Sequence, residues 1–128
     1  MLAQRLIVEQ FINGLRKRRF ALPYCIKCDL PAWPPVDRCY HCMSRVGLRE
    51  IRVPVGRLLE YTTARNISPP VVFGIVSIDG IKVIGSLDSS VSPRVGIDVK
   101  MTNCGISSDG TPFYEFDKYE KRNRRSKL

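Results

Sequence analysis

The spacing of apolar positions changes character along the chain. Near the start it is helical: Val8, Phe11, Ile12 and Leu15 stand at i, i+3, i+4 and i+7, and Leu2 and Leu6 extend the same side. This predicts an amphipathic helix over 2–19, with Arg16, Lys17, Arg18 and Arg19 in the last turn, where cations complement the helix dipole. Its apolar side has two readings, packing on its own domain or docking another protein. From residue 49 the pattern becomes short alternating segments. Residues 53–64 predict a long strand with Gly56 near its start, and Ser68-Pro69-Pro70 separates it from a second strand over 71–78. Asp79-Gly80 is a strong hairpin signal, because a type I′ turn needs positive φ at both central residues, and 81–87 is the returning strand. Val95, Ile97, Val99 and Met101 alternate with Gly96, Asp98, Lys100 and Thr102, which predicts a half-buried fourth strand. Ser108-Asp109-Gly110 makes a turn, and 111–116 completes a fifth strand. Five antiparallel strands with a long, glycine-bearing first member suit an OB-type barrel, with an SH3-like barrel as the alternative.

Between helix and strands, residues 20–46 are punctuated by cysteines and prolines. Cys25, Cys28, Cys39 and Cys42 form two C-x-x-C pairs ten residues apart. Each pair can turn back so that both sulfurs point at one centre, and two such knuckles supply the four thiolates of tetrahedral zinc. Four thiolates close the coordination shell, so the metal is read as structural and not catalytic. Two disulfides are the bland alternative, disfavoured in a chain whose first twenty residues lack the continuous apolar stretch of a signal sequence. His41, inside the second knuckle, is assigned a flanking role because the shell is already full. The fifth cysteine, Cys104, has no visible partner and reads as an inert, partly buried thiol in a strand end or loop. The segment between the knuckles, Leu30-Pro31-Ala32-Trp33-Pro34-Pro35, is stiffened by three prolines and carries the only tryptophan. Trp33 is therefore either an interface anchor or packing for its own knuckle. These readings divide the chain into a helix at 1–19, a rubredoxin-like zinc ribbon at 20–48, an OB-fold barrel at 49–117 and a basic tail at 118–128.

A chain of 128 residues with 44% apolar composition can bury a real core. No apolar run approaches the ~18 residues of a membrane span, so a cytoplasmic protein without membrane contact is expected. The net charge of +9 would suggest nucleic acid, but it lies at the ends. Residues 1–20 carry five basic side chains against Glu9, and 118–128 carry six against Glu120; from 21 to 117 ten basic side chains balance ten acidic ones. The catalytic inventory is sparse, with one histidine beside a zinc ligand and no Ser/His/Asp, Cys/His or phosphate-loop constellation. An enzyme working alone is not expected.

The order helix, four-cysteine ribbon and barrel carries further motifs: Trp33-Pro34-Pro35 between the knuckles and Gly56-Arg57-Leu58-Leu59-Glu60-Tyr61-Thr62 after them. Pro70 precedes the second strand, and Val95-Gly96-Ile97-Asp98-Val99 and Phe113-Tyr114-Glu115-Phe116 follow. In that order, over nearly the whole chain, they resemble the acyl-CoA-associated zinc-ribbon/OB-fold proteins of bacteria and archaea. That resemblance implies an accessory subunit of a thiolase-type enzyme. Archaeal members are similar to a scaffold that holds acetoacetyl-CoA thiolase and HMG-CoA synthase together at the start of the mevalonate pathway. Other members partner lipid-transfer-type thiolases or acyl-CoA hydratases. Read from the residues themselves, the helix's apolar side, its cationic end and the ribbon tryptophan offer one partner surface, drawing on Phe11, Arg16, Arg18 and Trp33, and the basic tail is a departure from the family pattern. The rival reading is a zinc-ribbon/OB protein that binds single-stranded RNA, since both modules serve nucleic acids and the termini are basic. Against it stand the zero net charge of residues 21–117 and Phe73 as the only aromatic residue on the predicted second and third strands.

Overall fold

The computed structural model describes residues 6–120. Residues 1–5, with Leu2 and Arg5 of the predicted helix, and 121–128, most of the predicted tail, lie outside the described residues. Helix α1 (Ile7–Arg16) is shorter than the apolar period implied, because Leu6 is extended and acts as N-cap without a side-chain bond. Asp37, 29 residues away, supplies the missing acceptor: the Val8 N–H donates to its Oδ1 at 3.2 Å. The helix ends in a Schellman-type motif, with the Arg18 N–H donating to the Leu15 carbonyl and the Arg19 N–H to that of Gly14, both at 2.9 Å. Only Arg16 of the four clustered cations thus remains in the last turn. Arg18 takes the left-handed position, φ 62°, which such motifs usually give to glycine.

Three short strands follow, β1 (Ala21–Cys25), β2 (Leu30–Pro31) and β3 (Gly47–Glu50), in the sheet order β2-β1-β3. The barrel is β4 (Val55–Ala64), β5 (Val71–Ile78), β6 (Ile81–Leu87), β7 (Asp98–Ile106) and β8 (Pro112–Lys118), closed in the order β4-β5-β6-β8-β7. All its pairings are antiparallel except β6 with β8, where Ser86 faces Glu115 in parallel. This is the OB order, and it sets aside the SH3-like alternative. β4 serves both halves of the barrel: Val55, Gly56 and Arg57 pair with β7, and a bulge between Leu58 and Glu60 redirects the strand along β5. At the crossing a Cβ on Gly56 would lie 2.3 Å from the Ser77 carbonyl oxygen, so only glycine fits.

The predicted second and third strands agree with β5 and β6 residue for residue, and Asp79 and Gly80 take φ 49° and 86° as the hairpin requires. The fourth differs. Gly96 has φ 96° and turns the chain, so β7 begins at Asp98 and Val95 is exposed. β7 instead runs on through Cys104, which is a buried strand residue and not a loop thiol.

One hydrophobic core joins helix, ribbon base and barrel: Phe11, Leu15, Phe20 and Leu22 pack with Leu58, Val76, Val83, Val99 and Phe116. A second, small cluster of Cys25, Ala32, Cys39 and Val46 holds the cysteine end, with Ile7 packed against it. α1 therefore contributes to both. Phe11 is 2% exposed, with its ring edge-on to Phe20 (centroids 6.2 Å apart) and to Trp33 (5.6 Å). The predicted apolar face is real, but the chain's own interior takes it up.

Candidate metal centre

Two equivalent turns build the cysteine cluster. The Asp29 N–H donates to the Cys25 carbonyl at 2.8 Å, and the Met43 N–H to that of Cys39 at 3.0 Å. In each knuckle the residue after the second cysteine is left-handed, Asp29 at φ 59° and Met43 at φ 63°. A backbone N–H in each also points at the first sulfur, Cys28 to Cys25 Sγ at 3.4 Å and His41 to Cys39 Sγ at 3.3 Å. Neighbours hold the knuckles in place. Tyr24 donates its hydroxyl to Asp29 and carries the Arg49 guanidinium 3.6 Å from its ring centre; Arg38 and Arg45 form an isolated bridge under the second turn.

The result is a four-sulfur cluster in which all Sγ atoms lie within 4.8 Å of one another. Cys25 and Cys42 approach to 3.6 Å and Cys39 and Cys28 to 3.7 Å. A tetrahedral metal with bonds of ~2.3 Å places its sulfurs about 3.8 Å apart, so the geometry fits a structural metal site. It does not fit disulfides, whose sulfurs sit ~2.05 Å apart, and all five cysteines are free. The hydrogen bonds around the sulfurs set their acidities apart. Hydrogen bonds from Ser44 hold Cys42 down to about 6, while hydrogen bonding to Cys42 and Cys39 pushes Cys28 up to about 12. Cys39 is lowered by backbone N–H donors of Cys42 and His41. A cation would replace the shared protons. His41 is exposed and meets the cluster through its backbone N–H. Ser44 was not anticipated; its place two residues after Cys42 was the available signal.

The four residues singled out for partner contact are not brought together on one surface. Phe11 is core, and the half-buried Trp33 packs against it. Arg16 is exposed, with a 3.4 Å contact to the Asn13 side-chain oxygen. Arg18 reaches across to β7, donating to the Cys104 carbonyl at 3.1 Å with its guanidinium 5.4 Å from the Phe113 ring centre. The exposed apolar side chains lie elsewhere. Ile26, Tyr40 and Met43 project from the two knuckles, and Tyr61, Phe73 and Ile84 lie on the barrel, Phe73 beside Ile75 on β5. Among the described residues no helix is long and apolar enough to cross a membrane.

No family model matches the sequence, and no curated protein does either. Several solved chains share the fold, among them the following two. A chain described as "Ltp2-ChsH2(DUF35) aldolase" superposes with a TM-score of 0.71 at 18% identity, over 92% of this chain and 98% of its own. A DUF35-family protein of unknown function from Sulfolobus solfataricus gives a TM-score of 0.61 at 21% identity, over 87% of this chain and 84% of its own. The class so defined is a zinc-ribbon-like, four-cysteine module followed by an OB barrel, in the arrangement of DUF35 structures.

Proposed function

We propose that the chain is a non-catalytic accessory subunit of acyl-CoA metabolism, belonging with the acyl-CoA-associated DUF35 proteins and docking on a thiolase-type enzyme. In its finest form the reading is a scaffold that bridges acetoacetyl-CoA thiolase and HMG-CoA synthase. The observation that carries it is the nearly end-to-end likeness to a DUF35 chain of a solved aldolase, whose name couples ChsH2(DUF35) with Ltp2. The chemistry of the cysteines agrees. Cys25, Cys28, Cys39 and Cys42 would hold one zinc ion with no position left for water or substrate, which makes the metal a brace for the small ribbon cluster. Cys104, the remaining thiol, is buried, and burial raises its pKa against the opposing charge of Arg18, so it is a poor nucleophile.

A native pull-down read by mass spectrometry tests the reading. Copurified thiolase and synthase subunits support the bridge, another thiolase-type enzyme alone supports the coarser statement, and RNA without either overturns both. Metal analysis of the same preparation should return about one zinc per chain. A fully folded, metal-free preparation would contradict the brace. The RNA reading keeps one specific support, since Tyr61 joins Phe73 as an exposed aromatic on the barrel. Deleting 121–128 separates the two: binding to single-stranded RNA that survives both the deletion and high salt favours the barrel, whereas charge-driven binding through the tail disappears.

A further inference from the structure

Three arginines converge on one cleft at the seam between α1, the ribbon base and the barrel. The cleft has a volume of about 170 Å³ and is lined by Arg18, Arg19 and Arg52, with Cys104 and Asn103 from β7. One carboxylate, Glu50 at the end of β3, shares the lining. Among the described residues none of the three guanidiniums has a carboxylate partner. The excess is therefore two positive charges, in a space several times the ~30 Å³ share of one water and wide enough for a phosphate group. A phosphate monoester carries about −1.5 to −2 at neutral pH, and a guanidinium meets its oxygens with paired donors.

Arg18 is built into this cleft. It occupies a left-handed backbone position (φ 62°) at a helix end that ordinarily takes glycine. It also lies in a slot that exists because residue 105 is glycine, where a Cβ would come within 2.3 Å of the Arg18 Nη1. One Nη1 bond to the Cys104 carbonyl and the face of Phe113 fix the group, leaving its other donors without an acceptor among the described residues. A cation held this way loses little freedom on binding an anion. Arg19 and Arg52 come from two different connections and meet only at this cleft.

We propose that this cleft is a phosphate-binding site, with Arg18 as its fixed floor and Arg19 and Arg52 as its closing arms. The inference stands apart from the thiolase reading, since it concerns a small ligand and its test needs no partner enzyme. The zinc-loaded full-length chain would be titrated calorimetrically at about 0.15 M ionic strength, where distant charges are screened. The probes are inorganic pyrophosphate and a nucleoside 3′,5′-bisphosphate. One saturable site is expected for at least one probe, with Arg19→Gln and Arg52→Gln each weakening it about tenfold. Arg18→Gly, which suits the backbone position, should abolish it while circular dichroism shows the fold intact. The tail variant Arg124→Gln/Arg125→Gln should leave it unchanged. Tighter bisphosphate binding identifies a nucleotide-type phosphate, and tighter pyrophosphate binding a free phosphate anion. No saturation below about 1 mM, or loss in the tail variant with retention in Arg19→Gln/Arg52→Gln, overturns the proposal.

Discussion

Replacing Phe11 by alanine removes a ring that is 2% exposed and sits where helix, ribbon base and barrel meet. Two effects add. Truncating a buried phenylalanine costs about 3–5 kcal/mol through lost transfer energy and the cavity left behind. The edge-on contacts to Phe20 and Trp33 are part of that loss, each worth roughly 0.5–1.5 kcal/mol. A loss of about 4 kcal/mol is expected, a large share of the ~5–15 kcal/mol that stabilises an ordinary domain. For a chain of this length that corresponds to about 15 °C in Tm. Urea unfolding of the isolated, zinc-saturated chain measures it, with the midpoint lowered and the slope unchanged. The assay also separates the two roles that the apolar period left open. A partner anchor would leave the isolated chain's stability nearly unaltered; a loss under about 1 kcal/mol would therefore refute the packing argument.

Three further outcomes follow from particular contacts. Asp37→Ala removes the acceptor at the start of α1 and should cost about 1 kcal/mol, seen as faster amide exchange in the first helical turn; unchanged exchange would show that the cap is immaterial. Gly56→Ala drives a Cβ into the Ser77 carbonyl and the Val76 and Ile78 side chains and should destabilise by about 3 kcal/mol, so a neutral result in urea would contradict the tight crossing. Burial raises the pKa of Tyr114, so its contribution is complete below the unfolded value of ~10 and is lost as pH rises through the folded one. The alkaline unfolding midpoint should accordingly move upward in Tyr114→Phe, and an unmoved midpoint would assign alkaline unfolding to other groups.

Whatever was encoded locally could be read from the sequence. The knuckles are legible because metal ligation fixes residue type and spacing within four residues, and β5 and β6 because their turn needs Asp79-Gly80 in one backbone geometry. The alternation from Val95 to Met101 misled because period two says nothing of direction, and Gly96 turns the chain before the ladder begins. The helix end was opaque for another reason. Four cations after an apolar stripe look like dipole compensation, whereas Arg18 is bound to a strand 86 residues away, through a slot that glycine at 105 leaves open. A single sequence gives no sign of such a pairing. The same holds for Asp37, whose acceptor role depends on the ribbon folding back over the first turn of α1.

Burial of the helix face changes how a small scaffold could serve two enzymes. A stable interface takes roughly 800 Å² from each partner, so two enzymes require two separate surfaces. The rings of Phe11 and Trp33 pack against Phe20 and each other, so they serve the chain's own core first. Among the described residues, two groups of exposed apolar side chains differ in what holds them up. Ile26, Tyr40 and Met43 stand on knuckles whose shape depends on the four sulfurs, whereas Tyr61, Phe73 and Ile84 stand on a barrel with its own ladder and core. A ligand that loosens the knuckles thus acts on one surface and leaves the other standing. On the scaffold reading, chelating the zinc should release the enzyme seated on the ribbon and retain the one seated on the barrel. The metal would then govern assembly of the complex without taking part in any chemistry.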